Sequence, residues 1–336
     1  MIGTKVIAPN LWGWIADLSG LRHRVIQLGS FCCFIIFSFV STVENFFSMA
    51  ILIFFFSFFW NASLPQFEAV TMNTLGASYN KYSYIRLWGS LGFIISVLSL
   101  SFITNKLGIE IIPLCILSFL FLTWLSTLYV KNQNINTERH NNSLISIVLK
   151  PAIIGILVSC FLMQLSHGPF YAFFAIFLAE NNYTTTSIGL IWSLGVIAEI
   201  LIFLKISSWI PKYGLQNLFI ISFLFATLRW LLISLFPQDI VIVCIATVFH
   251  AITYGMYHAV SISLIHEYFT GELQGRGQAL YSSISFGLGG SIGSFYSGYL
   301  WESVGGSTVF LYASLFAFLG FIVSLMLVKS NYRNLK

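Results

Sequence analysis

Long apolar runs separated by short polar breaks set the pattern of this chain. Ten of them approach the roughly 20 residues that a helix needs to cross a hydrocarbon core of about 30 Å. They are 25–43, 46–67, 85–104, 109–130, 151–179, 185–204, 216–236, 239–260, 277–300 and 305–328. Ahead of them, Met1–Trp14 forms an apolar stub too short to cross. The longest polar stretch, Lys131–Ser143 (KNQNINTERHNNS), is a hydrophilic linker that cannot bury a core. The pattern predicts an all-α membrane protein with a stub and four spans in residues 1–130, a linker over 131–150, and six spans in 151–330.

Composition agrees and narrows the class. Hydrophobic residues are 57% and charged residues 8% of the 336, more apolar surface than a soluble domain can hide. The net charge of +5 comes from basic residues scattered over short loops, which excludes a nucleic-acid surface and points to membrane orientation. Twelve of the sixteen Lys and Arg, from Arg22 and Arg24 through Lys131 and Lys212 to Lys336, fall in loops of one parity, against Lys106 alone in the other. Basic loops stay in the cytoplasm, so the C-terminus is predicted to be cytoplasmic. The five cysteines (Cys32, Cys33, Cys115, Cys160, Cys244) lie in apolar runs without metal-ligand spacing, so neither a metal nor another cofactor is expected. Met1–Trp14 carries Lys5 and no small-residue cleavage site, so no cleavable signal peptide is expected. The spans hold no Ser/His, paired-Asp or metal-spaced constellation, which argues against an enzyme.

Four charged residues stand where a bilayer resists them: Glu68, Arg86, Glu199 and Arg229. An ionisable side chain at membrane depth costs a few kcal/mol or more, so it faces a partner or a water-filled path for a solute or proton. At about 1.5 Å per helical residue, Glu199, His250, Arg229, Tyr171 and His167 lie roughly 10 to 18 Å below the outer ends of their spans. They share a slab near the bilayer middle, where transporters bind solutes. Glu199 and Arg229 are candidates for a pair, functional or structural. Arg86 is nearer the cytoplasmic face, where it binds solute or snorkels to the headgroups. His167-Gly168-Pro169 removes a backbone hydrogen bond in mid-span, as a plain kink or as a broken segment lining a site. The glycines Gly287, Gly289, Gly290, Gly293 and Gly298 are expected to form a close-packing surface.

Before the first full run comes Gly13-Trp-Ile-Ala-Asp17-Leu-Ser-Gly20-Leu-Arg22-His-Arg24. This resembles the signature of the major facilitator superfamily between its second and third helices. Gly13 would allow close helix approach, Asp17 a cap or salt bridge, Gly20 a tight turn, and Arg22 and Arg24 a cytoplasmic loop. Further on, Tyr84-Ile-Arg86-Leu-Trp-Gly89-Ser-Leu-Gly92-Phe, Tyr171-Ala-Phe-Phe-Ala-Ile, Ile191-Trp-Ser-Leu-Gly-Val-Ile-Ala-Glu199 and Arg229-Trp230 look like the phenylpropionic acid transporter branch, relatives of the lactose and nucleoside proton symporters.

The resemblance implies a two-bundle fold of that superfamily, here ten full transmembrane helices plus the end of an eleventh. It also implies alternating access and proton-coupled uptake of a small organic solute across a bacterial inner (plasma) membrane by a monomer. An aromatic carboxylate such as 3-phenylpropionate is the leading solute, with a sugar or nucleoside as the alternative. Two-halved transporters of this kind carry six spans in each half, so the imbalance predicts an N-terminal truncation, with a natural ten-span protein as the alternative, and a non-transporting remnant is a third reading of the function. Glu68, Arg86, His167, Tyr171 and Arg229 become candidate solute-binding residues, and Glu199 and His250 candidates for proton coupling. Thr253 departs from the lactose permease, which has a proton-carrying glutamate at the matching position. Glu199 is therefore the carboxylate left for the proton.

Overall fold

The computed structural model describes residues 2–130 and 144–330. All their regular structure is helical: α1 (Ile2–Ser19), α2 (Arg22–Ser38), α3 (Phe46–Leu75), α4 (Tyr82–Leu107), α5 (Ile112–Thr127) and the short α6 (Leu144–Val148) come first. After them follow α7 (Pro151–Glu180), α8 (Thr185–Tyr213), α9 (Leu215–Leu235), α10 (Ile240–Val248), α11 (Tyr257–Tyr268), α12 (Gln274–Ser282) and α13 (Gly290–Leu327). Wider π-helical turns, Ala251–Met256 and Ser283–Gly289, join α10 to α11 and α12 to α13.

A helix stands at each predicted run, but only seven helical stretches among the described residues are long and apolar enough to cross a membrane on their own. One of these, Gln274–Leu327, runs for 54 residues. It is broken at Gly305, whose φ of +78° with ψ of 157° is open to glycine and strained for any other residue, so it folds as two arms. Helix starts use ordinary caps. The Asn45 side chain accepts from the Ser48 amide at 2.9 Å and Thr184 Oγ1 from that of Ser187 at 3.2 Å. Asp239 takes the amides of Val241 and Ile242. Of the linker, 131–143 lies outside the described residues.

Packing groups the residues into two compact units, one of 1–76, 91–141 and 269–283, the other of 77–90, 142–268 and 284–336. In the first, α1 lies against α3 and α12, and α2 against α3 and α5. Ala8, Trp12, Ala16, Val25 and Ala62 form its apolar core with Phe58 and Phe59. The loop motif has a physical role here. A Cβ on Gly13 would come 3.1 Å from that of Ala279, so α1 and α12 meet at the glycine. Asp17 accepts from Arg22 Nη2 at 2.7 Å, and Arg276 stands 4.0 Å from its other oxygen. Gly20 turns the chain at φ +64°, and Arg24 is exposed.

In the second unit α7 and α13 make the most extensive packing. A Cβ on Gly168 would overlap the backbone of Gly293, and one on Gly289 would come 2.6 Å from the Phe161 carbonyl oxygen. Glycine there lets two helix backbones touch. The helix α7 runs unbroken through Pro169, without the interruption that the sequence allowed. Proline leaves the carbonyl four residues back without its helical donor. Here that is Leu165, and Gly293 packs so closely on it that a Cβ would lie 2.6 Å from the oxygen. Large apolar side chains such as Phe46, Phe47, Trp88 and Phe295 are more than two-thirds exposed, as expected of a lipid-facing surface.

Candidate functional site

The second unit gathers four helices' worth of polar side chains into one buried cluster. Arg229 in α9 is fully buried, and its guanidinium carbon lies 4.2 Å from the ring centres of both Phe170 and Trp230. Its Nη1 donates to His250 Nδ1 and to Thr253 Oγ1, each at 3.0 Å. Guanidinium nitrogens only donate, so His250 Nδ1 must accept and the ring hydrogen sits on Nε2. That Nε2 stands 3.8 Å from Glu199 Oε2.

Glu199 in α8 has two further neighbours. Ser90 Oγ donates to its Oε1 at 3.0 Å, and Arg86 Nη2 lies 4.0 Å from the same oxygen. Arg86 and Ser90 are one turn apart at the start of α4, within the same packing unit as Glu199. The guanidinium of Arg86 is also 5.5 Å over the Phe203 ring. Gly255, on the π-helical turn, admits the carboxylate's stem: a Cβ there would lie 3.0 Å from Glu199 Cγ.

The slab inferred from depth is therefore a contiguous set of contacts. His167 lies edge-on to Trp230 at 4.9 Å and 5.9 Å from Tyr171, whose ring is 6.5 Å from that of His250. The anticipated Glu199–Arg229 pair is not among the ion pairs of the described residues: Glu199 faces Arg86 and His250, and the imidazole stands between acid and arginine. Arg229 has no carboxylate partner among the described residues, and its Nε and Nη2 make no hydrogen bond there. Glu68 is buried in α3 and belongs to the first unit, whereas Arg86 belongs to the second. Of the tryptophans beside candidate residues, Trp230 is fully buried and Trp192 packs 4.6 Å from Phe170, while Trp88 is 72% exposed.

Sequence reasoning did not single out Ser90, Thr253 as a ligand of Arg229, Tyr254 or Gly255. Ser90 falls four residues after Arg86, one helical turn, and that spacing was the available signal. Tyr254 stacks on His250 at 5.2 Å with the rings 5° apart, and again on His258 at 6.0 Å and 7°. The π-helical register aligns the three rings, and nothing in the residue pattern announces it. Among the described residues no cluster of His, Cys, Asp or Glu could hold a metal.

The profile of the MFS_1-like family matches residues 1–312. The chain belongs to this family. It is a multi-pass membrane protein and a secondary transporter of the major facilitator superfamily, and not an enzyme. It is 25% identical over 282 residues to the Bacillus subtilis protein called "Uncharacterized transporter YwbF", covering 82% of this chain and 69% of that one. It is 26% identical over 262 residues to the Escherichia coli "Probable 3-phenylpropionic acid transporter", covering 74% of this chain and 66% of that one. The chain thus spans about two thirds of each relative's length. Among solved structures, the Escherichia coli fucose:proton symporter superposes with a TM-score of 0.77 at 12% identity, covering 98% of this chain and 90% of that one. That likeness establishes the superfamily fold.

Proposed function

We propose that this member of the family is a proton-coupled symporter of a small organic anion, an aromatic carboxylate such as 3-phenylpropionate. One observation carries the reading: Arg229 is completely buried, yet its Nε and Nη2 have no hydrogen-bond partner among the described residues. These two nitrogens form the edge of the guanidinium that presents parallel N–H bonds, the shape that grips a carboxylate with two hydrogen bonds. A buried cation without a counter-ion is costly. In the second unit Arg86 already takes Glu199, so the anion that would balance Arg229 is the solute. Phe170, Trp230 and Trp192 offer ring surfaces beside it, and the relationship to the phenylpropionate transporter supports the same class.

Glu199 carries the proton in this reading, with His250 coupling it to Arg229. Ionised, Glu199 attracts Arg86 and the Nε2–H of His250. A proton on Glu199 cancels both attractions and leaves the cluster with excess positive charge, which favours uptake of an anion. Solute and proton thus enter together. Alternating access would work between the bundles 1–130 and 151–330 about the linker 131–150, with ten spans plus the end of an eleventh, a monomer in a bacterial inner membrane with its C-terminus in the cytoplasm. His167 and Tyr171 complete the proposed solute site of the second unit, and Glu68 is proposed as a solute-binding residue of the first.

A second reading, a sugar or nucleoside as solute, has one observation of its own. Gln66 in α3 is fully buried, both its side-chain polar atoms without a partner among the described residues, and it lies two residues from buried Glu68. Such a pair suits hydroxyl groups.

Uptake of labelled 3-phenylpropionate into vesicles carrying the protein, driven by an imposed proton gradient, separates the two. Accumulation that collapses with the gradient and is competed by aromatic acids supports the anion reading. Competition by sugars or nucleosides, and none by aromatic acids, would replace it with the second.

A further inference from the structure

His167 is fully buried in α7, and its Nδ1 lies 2.8 Å from the carbonyl oxygen of Met163. A carbonyl only accepts, so Nδ1 carries the ring hydrogen and, in the neutral ring, Nε2 is left as an acceptor. That Nε2 has no hydrogen-bond partner among the described residues. The indole beside it is engaged elsewhere, Trp230 Nε1 donating to Ser166 Oγ at 3.2 Å. A buried acceptor without a donor is costly and uncommon. Among the described residues this acceptor is left without a donor, as Nε and Nη2 of Arg229 are left without acceptors.

Both groups lean on the same indole. The guanidinium carbon of Arg229 is 4.2 Å from the Trp230 ring centre and the His167 ring is 4.9 Å from it. The gap between guanidinium carbon and imidazole centre therefore cannot exceed about 9 Å. A solute whose own donor sits within a few bonds of its carboxylate suits that separation. A plain monocarboxylate would satisfy Arg229 and leave His167 unanswered.

We propose that the solute is a 2-hydroxy carboxylate with an apolar, aromatic body: its carboxylate on Nε and Nη2 of Arg229, its hydroxyl donating to Nε2 of His167. This rests on the anion reading above and makes His167 the residue that selects within it.

The test is equilibrium dialysis of the purified full chain against three labelled acids: 3-phenyllactate, 3-phenylpropionate, and 3-(4-hydroxyphenyl)propionate. The first two differ by one hydroxyl at the carbon next to the carboxylate. Wild type is expected to bind phenyllactate about tenfold more tightly than either other acid, the worth of one hydrogen bond to a buried group. His167→Phe should bring phenyllactate down to the level at which the same variant binds phenylpropionate. His167→Gln, which restores an acceptor oxygen, should recover part of the preference, and melting temperatures check that both variants fold. Equal binding of phenyllactate and phenylpropionate by wild type, a preference for the phenol, or a preference that survives in His167→Phe overturns this inference and leaves the anion reading intact. Binding of none of the three overturns both.

Discussion

Arg229 donates to His250 Nδ1 at 3.0 Å, and that single bond fixes the imidazole hydrogen on the nitrogen that faces Glu199. The arginine thereby dictates what the acid sees. Any change at Arg229, such as an anion drawing its guanidinium away, alters the donor presented to Glu199 at 3.8 Å. Removing the ring should therefore separate the two events. His250→Ala is expected to lower proton-driven accumulation at least tenfold while solute exchange at equal pH on both sides persists, measured in the same vesicles. Unchanged accumulation would take the histidine out of the coupling route.

Glu199→Gln keeps the shape of the side chain and removes its titration. Uphill accumulation should vanish while exchange down a solute gradient stays measurable. Ser90→Ala, which deletes the 3.0 Å hydrogen bond to Oε1 but no charge, is expected to be much milder. Wild-type accumulation by the glutamine variant would exclude Glu199 as the proton carrier.

Arg229→Lys retains a positive charge but loses the two-pronged edge and its stacking between Phe170 and Trp230. Affinity for 3-phenylpropionate should fall about tenfold or more, a larger loss than charge alone explains. Direct binding to purified protein reads this out, and an unaltered Kd would remove Arg229 from the solute site.

Two glycines should refuse a methyl group for different reasons. Gly168→Ala forces a Cβ onto the Gly293 backbone, where neither helix has a side chain to move aside, so a stability loss of about 1–3 kcal/mol or more is expected. Gly255→Ala presses on Glu199 Cγ, a flexible stem, and should disturb transport more than thermal stability. Melting temperature set against uptake rate distinguishes the pair, and the opposite ranking would contradict both assignments.

Topology follows from the twelve-to-one charge bias. Reporters fused after Lys336 or within Lys131–Ser143 should read as cytoplasmic. Those fused after Glu44, Glu180 or Asp239 should read as external. External activity from the Lys131–Ser143 fusion would sink the orientation.

The sequence by itself determined where helices run, because crossing a membrane is a one-dimensional requirement of length and apolarity, and each helix satisfies its own backbone. It also exposed Glu199, Arg229, His250 and His167 as candidates, since polar groups at that depth are costly wherever the chain folds. Even so, runs such as Ile112–Thr127, 16 residues long, fall short of an unaided crossing length once helix ends are drawn. What only the tertiary structure decided was partnership. Which groups touch depends on helix rotation, on backbone approach set by contacts distant in sequence, such as Gly168 on Gly293, and on π-helical turns that shift register. That packing put His250 between Glu199 and Arg229, brought Ser90 and Arg86 to the acid, and made Thr253, which looked like a missing carboxylate, an acceptor for the arginine. It also left Arg229 and His167 with hydrogen-bonding groups unused, because no side chain among the described residues reaches them.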